Sequence, residues 1–166
     1  MNHWSLINTP FQMMAAWVDG EGRVLRFRLR AGGAAHVDST AENNSAKLAH
    51  VQRQVTEYSD GKRRGFDLEL APQGPEFEMS VWKALRDIPF GTTCSYGDVA
   101  RAIGQPGAAR AVGAANNANP IALIIPCHRV IGADGQLVGY GGGLPLKRKL
   151  LEHEARVTGT RYDLFG

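Results

Sequence analysis

The chain of 166 residues contains only two cysteines, Cys94 and Cys127. It has no Cys-x-x-Cys pair and its five histidines are scattered, so no spacing typical of a zinc site is present. Dinucleotide-binding and phosphate-binding glycine motifs are also missing. We therefore expect no metal, no cofactor and no structural disulfide. A single reactive cysteine is the more economical hypothesis.

Long apolar runs are absent as well. No segment approaches the roughly 20 apolar residues that cross a bilayer, and the N-terminal sequence lacks the basic and apolar regions of a signal peptide. We therefore expect a cytoplasmic protein without a membrane partner. The formal net charge of +3 permits a polyanionic partner without requiring one.

The first part of the chain has the patterns of a small sheet with one helix. Residues 25–30 alternate apolar side chains with arginines, which is typical of a half-buried strand. The turn sequence at 19–22 predicts a hairpin that joins this strand to another at 13–18. Apolar residues recur at helical spacing over 48–58, and the alternation over 66–70 predicts a further short strand.

A segment rich in proline and glycine, residues 71–75, predicts a boundary between two domains, 1–73 and 74–166. Helical patterns dominate the second domain, beginning with an apolar stripe over 77–88. We therefore predict an α+β fold. A small antiparallel sheet with a helix forms the N-terminal domain, and a mostly helical C-terminal domain carries a winged helix-turn-helix.

The helix-turn-helix is predicted from two helix signals and the turn between them. Ser95 and Asp98 have the spacing of a capping box, which starts a short helix. Residues 104–107 contain two glycines and a proline and end that helix. A second helix follows over 108–116, as the motif requires.

The faces of this second helix favour an approach to DNA. At ~100° per residue, Ala111, Val112 and Ala115 lie on its inward face, and Arg110 projects from a face of small residues. A helix that reads a major groove carries several long polar side chains, so small residues favour a close approach in the minor groove. A solvated surface arginine is the alternative interpretation.

Cys127 lies in the run Pro126-Cys127-His128-Arg129, directly after the apolar segment 121–125. We expect that segment to be buried and extended. His128 and Arg129 place positive charge near the sulfur, which predicts a lowered pKa of the thiol. A small buried core cysteine fits the local sequence equally well.

Glu154 favours the reactive interpretation of Cys127. Helical spacing places this carboxylate on the apolar side of the last helix, where it is costly unless it is paired. His128 is a natural partner, and Cys127, His128 and Glu154 would then form a proton relay. Lys147 lies on the same side of the helix and is the alternative partner of Glu154.

Several motifs in the second half of the chain resemble, in order and spacing, those of the O6-alkylguanine-DNA alkyltransferases, also called methylated-DNA–protein-cysteine methyltransferases. The first half resembles this family only in the order of its strands and helix. The motifs are Val81–Leu85, Ser95–Gly97, Ala108–Gly113, Asn119–Pro120, Ile125–Val130, and Leu150 and Leu151 with Glu154.

The resemblance implies DNA repair by direct reversal. The alkyl group of O6-alkylguanine, and of O4-alkylthymine, would pass irreversibly to Cys127 after the base is flipped out through the minor groove. His128 and Glu154 would activate the thiol. Tyr96 would help to rotate the nucleotide and would protonate the departing guanine. Asn119 would act as a hinge beside the cysteine motif.

The resemblance also implies a set of binding residues. Arg110 would fill the place of the flipped base. The backbone carbonyls of Cys127 and Val130 would accept from the exocyclic amine of guanine, and Arg129 would hold the two halves of the protein together. The remaining DNA contacts would be Ser95, Tyr96, Ala109, Ala111 and Gly113, and the loop over the base pocket would contain Tyr140 and Gly141.

The expected partner is double-stranded DNA that contains O6-alkylguanine, bound by a monomer that is able to cooperate along the duplex. Two other functions are compatible with parts of the pattern. One is a winged-helix protein that senses alkylated DNA without reacting. The other is a cysteine hydrolase that uses Cys127, although adjacent Cys and His residues are unusual in such enzymes.

Overall fold

A computed structural model describes residues 1–140 and 142–160 of the chain. The contacts between Cα atoms divide the chain into two compact units. The first comprises residues 1–73 with 120–122, and the second comprises residues 74–119 with those that follow 122. The first division between the units therefore falls within the proline- and glycine-rich segment of the sequence.

The first unit is built on a four-stranded sheet. Its strands are β1 (His3–Ile7), β2 (Met14–Val18), β3 (Val24–Arg28) and β4 (Glu42–Asn43). Their order is β3-β2-β1-β4. The β1–β2 and β2–β3 pairs are antiparallel, whereas β1 and β4 pair in parallel over two residues. The sheet predicted from the sequence is present, and β1 is a strand that the sequence analysis did not predict.

The predicted hairpin and helix of this unit are both confirmed. The Asp19 carboxylate accepts from the backbone N–H groups of Glu21 and Arg23 at 2.9 and 3.0 Å, which closes the turn between β2 and β3. Gly22 has a φ of 84°, a conformation that glycine adopts without strain. The helix α1 (Ala49–Ser59) buries the apolar side chains that recur at helical spacing.

The strand predicted over 66–70 is wrong. This segment makes one isolated bridge, between Leu70 and Val24, and no regular ladder. The side chain of Gln54 accepts from the backbone N–H of Asp67 at 2.8 Å and donates to its carbonyl at 2.9 Å. A side chain thus satisfies the backbone groups that a neighbouring strand would otherwise pair, and alternation of apolar residues cannot reveal this.

The second unit is mostly helical, and the α+β class is confirmed. Its elements are α2 (Glu76–Leu85), β5 (Cys94–Ser95), α3 (Tyr96–Ala102), α4 (Ala109–Asn117), a 3₁₀ turn (Cys127–Arg129), β6 (Val130–Ile131) and α5 (Leu144–Thr158). The two short strands pair in parallel. None of the helices in the described part of the chain is long and apolar enough to span a lipid bilayer.

The helix-turn-helix consists of α3 and α4. The predicted capping box starts α3, because Ser95 Oγ accepts from the Asp98 N–H at 3.0 Å and Asp98 accepts from the Ser95 N–H at 2.9 Å. Gly104 ends the helix with a φ of 76°. The indole N–H of Trp82 donates to the Ala115 carbonyl at 2.8 Å, which fixes α4 against α2.

The segment 121–125 is mostly buried, but the prediction that it is extended is wrong. Its first residues pair with the first unit, where the Ala122 N–H donates to the Phe27 carbonyl at 3.2 Å. The chain then turns at Leu123, which has a φ of 71°. A left-handed conformation at a non-glycine residue costs on the order of 1–3 kcal/mol and tends to occur at functional sites.

Candidate alkyl-acceptor site

Cys127 is only 4% exposed, at the start of the 3₁₀ turn that follows Pro126. Burial raises the pKa of its thiol above the ordinary value of 9.0. A hydrogen bond from the Asn119 side chain, the charge of Lys147 and the backbone N–H of the strained Leu123 oppose that rise. The thiol is therefore protonated at neutral pH, and the reaction requires a group that removes its proton.

The expected lowering of the thiol pKa by its two basic neighbours is wrong, because both neighbours are directed at Glu154. His128 Nε2 lies 2.6 Å from Glu154 Oε2, and Arg129 contacts both carboxylate oxygens, at 2.9 Å through Nε and 3.1 Å through Nη2. The predicted partnership of Glu154 with His128 is present. The sequence pattern could not show that Arg129 shares the same carboxylate.

Glu154 is fully buried on α5. It accepts a further hydrogen bond of 3.1 Å from the backbone N–H of Gly91. Burial by itself raises the pKa of this carboxyl group, but His128 and Arg129 together hold it well below the ordinary value of 4.5. Glu154 is therefore an anion throughout the physiological pH range and acts only as a hydrogen-bond acceptor.

His128 is fully buried, and burial lowers its pKa below the ordinary value of 6.5 despite the opposing effect of Glu154. Its second ring nitrogen, Nδ1, is buried and has no hydrogen-bond partner among the described residues. Since Nε2 faces a carboxylate, the neutral ring carries its proton there and leaves Nδ1 as a bare acceptor. This arrangement suits a general base.

Arg129 is 6% exposed, and its hydrogen bonds and its ring contact are all with residues of the second unit. Besides its two bonds to Glu154, its Nη1 donates to the Ile88 carbonyl at 2.7 Å. The guanidinium also lies 5.6 Å from the ring centroid of Phe90. These contacts place Arg129 in the acid–base cluster, and they all lie inside one unit. A role in joining the two halves of the protein stays a prediction.

Lys147 is the alternative partner of Glu154, and that alternative is wrong. Its ammonium group is fully buried and donates to the Val138 carbonyl at 2.9 Å and to the Gly139 carbonyl at 3.5 Å. Burial lowers its pKa from 10.5 to about 8, although the thiolate form of Cys127 acts in the opposite direction. Lys147 thus fixes the backbone of the loop that precedes α5 at Val138 and Gly139.

The same loop contacts Tyr96 and contains Tyr140. The Tyr96 hydroxyl donates to the Val138 carbonyl at 3.1 Å, and the Lys147 ammonium lies 5.9 Å from the ring centroid of Tyr140. The Tyr140 hydroxyl is buried close to the Cys127 thiol, but no hydrogen bond of ordinary geometry joins them. Burial raises the pKa of both tyrosines, so each keeps its proton at neutral pH. Gly141 lies outside the described residues.

The outer face of α4 is lined by small side chains around one arginine. Arg110 is exposed, as predicted, and Ala111 beside it is also exposed, so the inward placement of Ala111 is wrong. The third buried residue on the inner face, beside Val112 and Ala115, is Asn116 and not Ala111. The helix is rotated slightly from the predicted orientation. Its inward side is set by the hydrogen bond from the Trp82 indole to the Ala115 carbonyl and by the buried side-chain amide of Asn116.

The remaining predicted site residues are close to these groups in the chain or in the fold. Asn119 donates through Nδ2 to the Ile125 carbonyl at 2.8 Å. Val130 is buried on β6 opposite Cys94, and Ala109 and Gly113 are half-buried on α4. A methyl group at Gly113 would lie 3.9 Å from the Tyr96 ring, so a small residue keeps α4 and Tyr96 close.

Two residues of the site were missed by sequence analysis. Asn116 is 2% exposed and donates through Nδ2 to the Cys127 carbonyl at 3.4 Å, and its Oδ1 has no hydrogen-bond partner in the described part of the chain. A polar residue four positions after Val112 was the available signal. The strained Leu123 gave no signal, since nothing in an apolar run marks a left-handed residue.

The fold and site define an α+β protein whose helix-turn-helix unit contains a buried cysteine beside a Glu–His pair. The sequence profile of the 6-O-methylguanine DNA methyltransferase DNA-binding domain matches residues 76–156. A methylated-DNA–protein-cysteine methyltransferase of Methanosarcina mazei is 44% identical over 152 residues, which cover 92% of this chain and 96% of that protein. Another, from Methanosarcina barkeri, is 59% identical over 67% of this chain and 70% of its own length.

Solved structures agree with these sequence matches. The O6-methylguanine methyltransferase of Mycobacterium tuberculosis is 40% identical and matches over 100% of both chains with a TM-score of 0.86. The Mycobacterium tuberculosis OGT in complex with DNA is 42% identical, with a TM-score of 0.86 over 93% of this chain and 94% of that one. The chain belongs to the methylated-DNA–protein-cysteine methyltransferase family.

Proposed function

We propose that this protein repairs alkylated duplex DNA by moving the alkyl group from O6 of guanine onto the sulfur of Cys127, once per molecule. O4-alkylthymine is a second substrate. The observation that carries the proposal is a buried Cys127 followed directly in the chain by His128, whose ring is paired with Glu154, in the unit that also contains the helix-turn-helix. Family membership supports the reaction class.

The transfer requires that the target base leave the duplex, because a base in the stack cannot present its O6 substituent to a buried thiol. Extrusion of a base costs a few kcal/mol, and a side chain inserted into the stack offsets part of that cost. The exposed Arg110 on α4 is suited to this insertion. The small residues around it permit a close approach in the minor groove, where Ser95, Ala109, Ala111 and Gly113 make the remaining contacts.

The chemistry balances without a cofactor. The thiol proton moves to Nδ1 of His128, directly or through a water molecule, and the sulfur attacks the alkyl carbon. The S–C bond forms as the C–O6 bond breaks, and the guanine leaves with its O6 as a carbonyl. Tyr96 donates a proton to the departing base. The product is a thioether, and none of the described groups near Cys127 is suited to cleave it, so the protein is spent.

The pocket holds guanine through backbone and ring contacts. The carbonyls of Cys127 and Val130 accept from the exocyclic amine of the base. The loop that contains Tyr140 and Gly141 covers the base, and Asn119 positions the sulfur. We infer that the protein works as a cytoplasmic monomer and is able to cooperate along DNA.

Intact-mass spectrometry after mixing with a duplex that contains one O6-methylguanine tests the proposal. We expect a gain of one methyl group per molecule, mapped to Cys127, and no transfer to Cys127→Ser. Cys94→Ser is the matched control and should react like the unmodified chain. Repeated turnover, or tight binding of the alkylated duplex with a thiol that stays free, would refute the proposal; the second result would favour a lesion sensor.

A further inference from the structure

The Glu154 carboxylate has used all of its acceptor positions. A carboxylate offers about four lone pairs on its two oxygens. Oε2 accepts from His128 Nε2 and from Arg129 Nη2, and Oε1 accepts from Arg129 Nε and from the Gly91 N–H. Arg129 supplies two of these four bonds and the only permanent positive charge among the donors. It is therefore the counterion of Glu154 whose charge does not depend on pH, whereas that of His128 does.

The identity of that counterion decides what Glu154 does to His128. A buried carboxylate with histidine as its only charged partner favours the imidazolium form of the ring, since burial of an unbalanced charge is costly. A carboxylate that is already neutralised by a bidentate arginine needs no second cation. It then orients the neutral ring through the Nε2 proton, and Nδ1 stays unprotonated.

The other charged or titratable groups around His128 act in the same direction or not at all. Cys127 and Tyr140 are neutral at pH 7. Lys147 on α5 carries a positive charge, and it disfavours a second cation on the ring just as Arg129 does. Among the described groups around the ring, Glu154 is the one that favours the imidazolium, and Arg129 contacts it directly.

We propose that Arg129 is a positioning residue for the alkyl transfer, which acts through Glu154 to keep the His128 proton on Nε2 and to leave Nδ1 free to accept the Cys127 proton. This proposal rests on the transfer reaction proposed above. It assigns Arg129 to the chemistry of the site rather than to the cohesion of the protein. Two planar N–H groups on one carboxylate are a geometry that lysine cannot reproduce.

The pH profile of methyl transfer tests the proposal with Arg129→Met and Arg129→Lys. Without the guanidinium, the pKa of His128 rises and the protonated fraction of the ring increases at every pH near that pKa. We therefore expect the acid limb of the rate profile to move to higher pH by about one unit in Arg129→Met, and by less in Arg129→Lys. A lower rate with an unchanged profile would show that Arg129 has only a structural role and would overturn the proposal.

A second measurement keeps the proposal falsifiable if Arg129→Met does not fold. Nitrogen-15 NMR of the histidines in the unmodified protein, without DNA, reports the tautomer of His128. We expect the neutral ring with its proton on Nε2 at pH 6.5, the ordinary pKa of the group. An imidazolium, or a proton on Nδ1, would overturn the proposal.

The two measurements distinguish failure of the proposed function from failure of the proposed role of Arg129. If His128 has the expected tautomer but no methyl group reaches Cys127, the proposed function is wrong and the tautomer of the ring still agrees with the position of Arg129. If transfer occurs but His128 is an imidazolium at pH 6.5, the function stands and the role of Arg129 falls.

Discussion

The two compact units differ most in what they bury. In the described part of the first unit the buried polar side chains are Ser5 and Gln54, both uncharged. In the second unit the buried polar and charged side chains are Asn116, His128, Arg129, Lys147, His153 and Glu154. Both units also bury tryptophan and aliphatic side chains, so each has an apolar core.

This difference indicates where the function lies. A desolvated ion costs several kcal/mol even after relaxation of the protein, and the first unit folds without such a group. Groups with shifted pKa values, buried together with specific charge partners, occur preferentially at functional sites. We therefore expect the first unit to contribute mainly to stability, and the buried polar groups of the second unit to carry the proposed chemistry at a cost in stability. Four substitutions, ordered by their expected effect on stability, test this comparison.

Glu154→Gln should have the largest effect on stability. The neutral amide leaves Arg129 buried without its counterion, so the free energy of unfolding should fall by about 3–5 kcal/mol at pH 7, and transfer should be lost. In the folded state the pKa of Glu154 lies below 4.5 and that of His128 below 6.5. Both groups therefore stabilise the protein above these values, and their contribution declines as the pH falls.

Urea denaturation at pH 7 and pH 4 measures this effect. The difference between the unmodified chain and Glu154→Gln should narrow at the lower pH. Glu152→Gln, an exposed neighbour on α5, is the matched control and should change neither stability nor transfer. If both variants lose the same stability, the buried cluster contributes nothing special to the second unit.

Gln54→Leu tests the opposite side of the comparison. The substitution leaves the backbone N–H and carbonyl of Asp67 without their partner, so the free energy of unfolding should fall by about 1–3 kcal/mol. Methyl transfer per folded molecule should stay unchanged, measured by mass spectrometry under folding conditions. Arg53→Leu on the exposed side of α1 is the control. A loss of transfer without a loss of folded protein would contradict the assignment of the first unit to stability.

Lys147→Met should affect activity more than stability. Methionine fills a similar volume, so the free energy of unfolding at pH 7 should change by less than about 1.5 kcal/mol. Transfer should slow by roughly tenfold, the equivalent of one hydrogen bond to a charged group, because the Val138 carbonyl loses its ammonium partner. Lys149→Met, exposed on α5, should leave transfer unchanged.

The pH dependence of stability gives a second signature of Lys147. Its pKa is about 8 in the folded protein and 10.5 ordinarily, so the unfolded chain binds more protons between these values. Stability of the unmodified chain should therefore rise with pH across that interval relative to Lys147→Met. Parallel stability curves for the two proteins would show that the ammonium group is not desolvated.

Arg110→Ala should have the smallest effect on stability, within about 0.5 kcal/mol, since the side chain is exposed. Repair of an O6-methylguanine duplex should nevertheless fall strongly, and reaction with the free alkylated base should not change. Arg86→Ala, an exposed arginine just after α2, is the control for loss of charge. Equal losses on duplex and free base would contradict insertion of Arg110 into the stack.

Local patterns in the sequence were sufficient for most of the fold. The turn at Asp19 and the capping box at Ser95 and Asp98 depend on neighbouring residues, and both are present as predicted. The prediction of a strand over 66–70 failed because the side chain of Gln54, which is distant in the sequence, forms hydrogen bonds with the backbone of Asp67. The strand β1 was missed because its apolar alternation is weak.

The residues of the candidate site also divide into those that the sequence predicted and those that only the structure revealed. Cys127, His128 and Glu154 were predicted, since a carboxylate on an apolar helix face demands a partner. The sequence did not show that Arg129 shares that carboxylate, that Lys147 binds the Val138 loop, or that Leu123 directs its N–H at the sulfur. Each of these contacts depends on where the backbone turns, and apolar periodicity carries no information about that.

By itself, the sequence determined the α+β class, the β2–β3 hairpin, the helix-turn-helix with Arg110, and a cysteine with a histidine and a glutamate available to activate it. Tertiary structure decided how that activation is arranged. Burial raises the pKa of the Cys127 thiol, Arg129 pairs with Glu154, and burial lowers the pKa of His128, the base that we propose. The reason is physical: hydrogen-bond geometry and desolvation depend on distances between residues that are remote in the chain, and no local pattern encodes those distances.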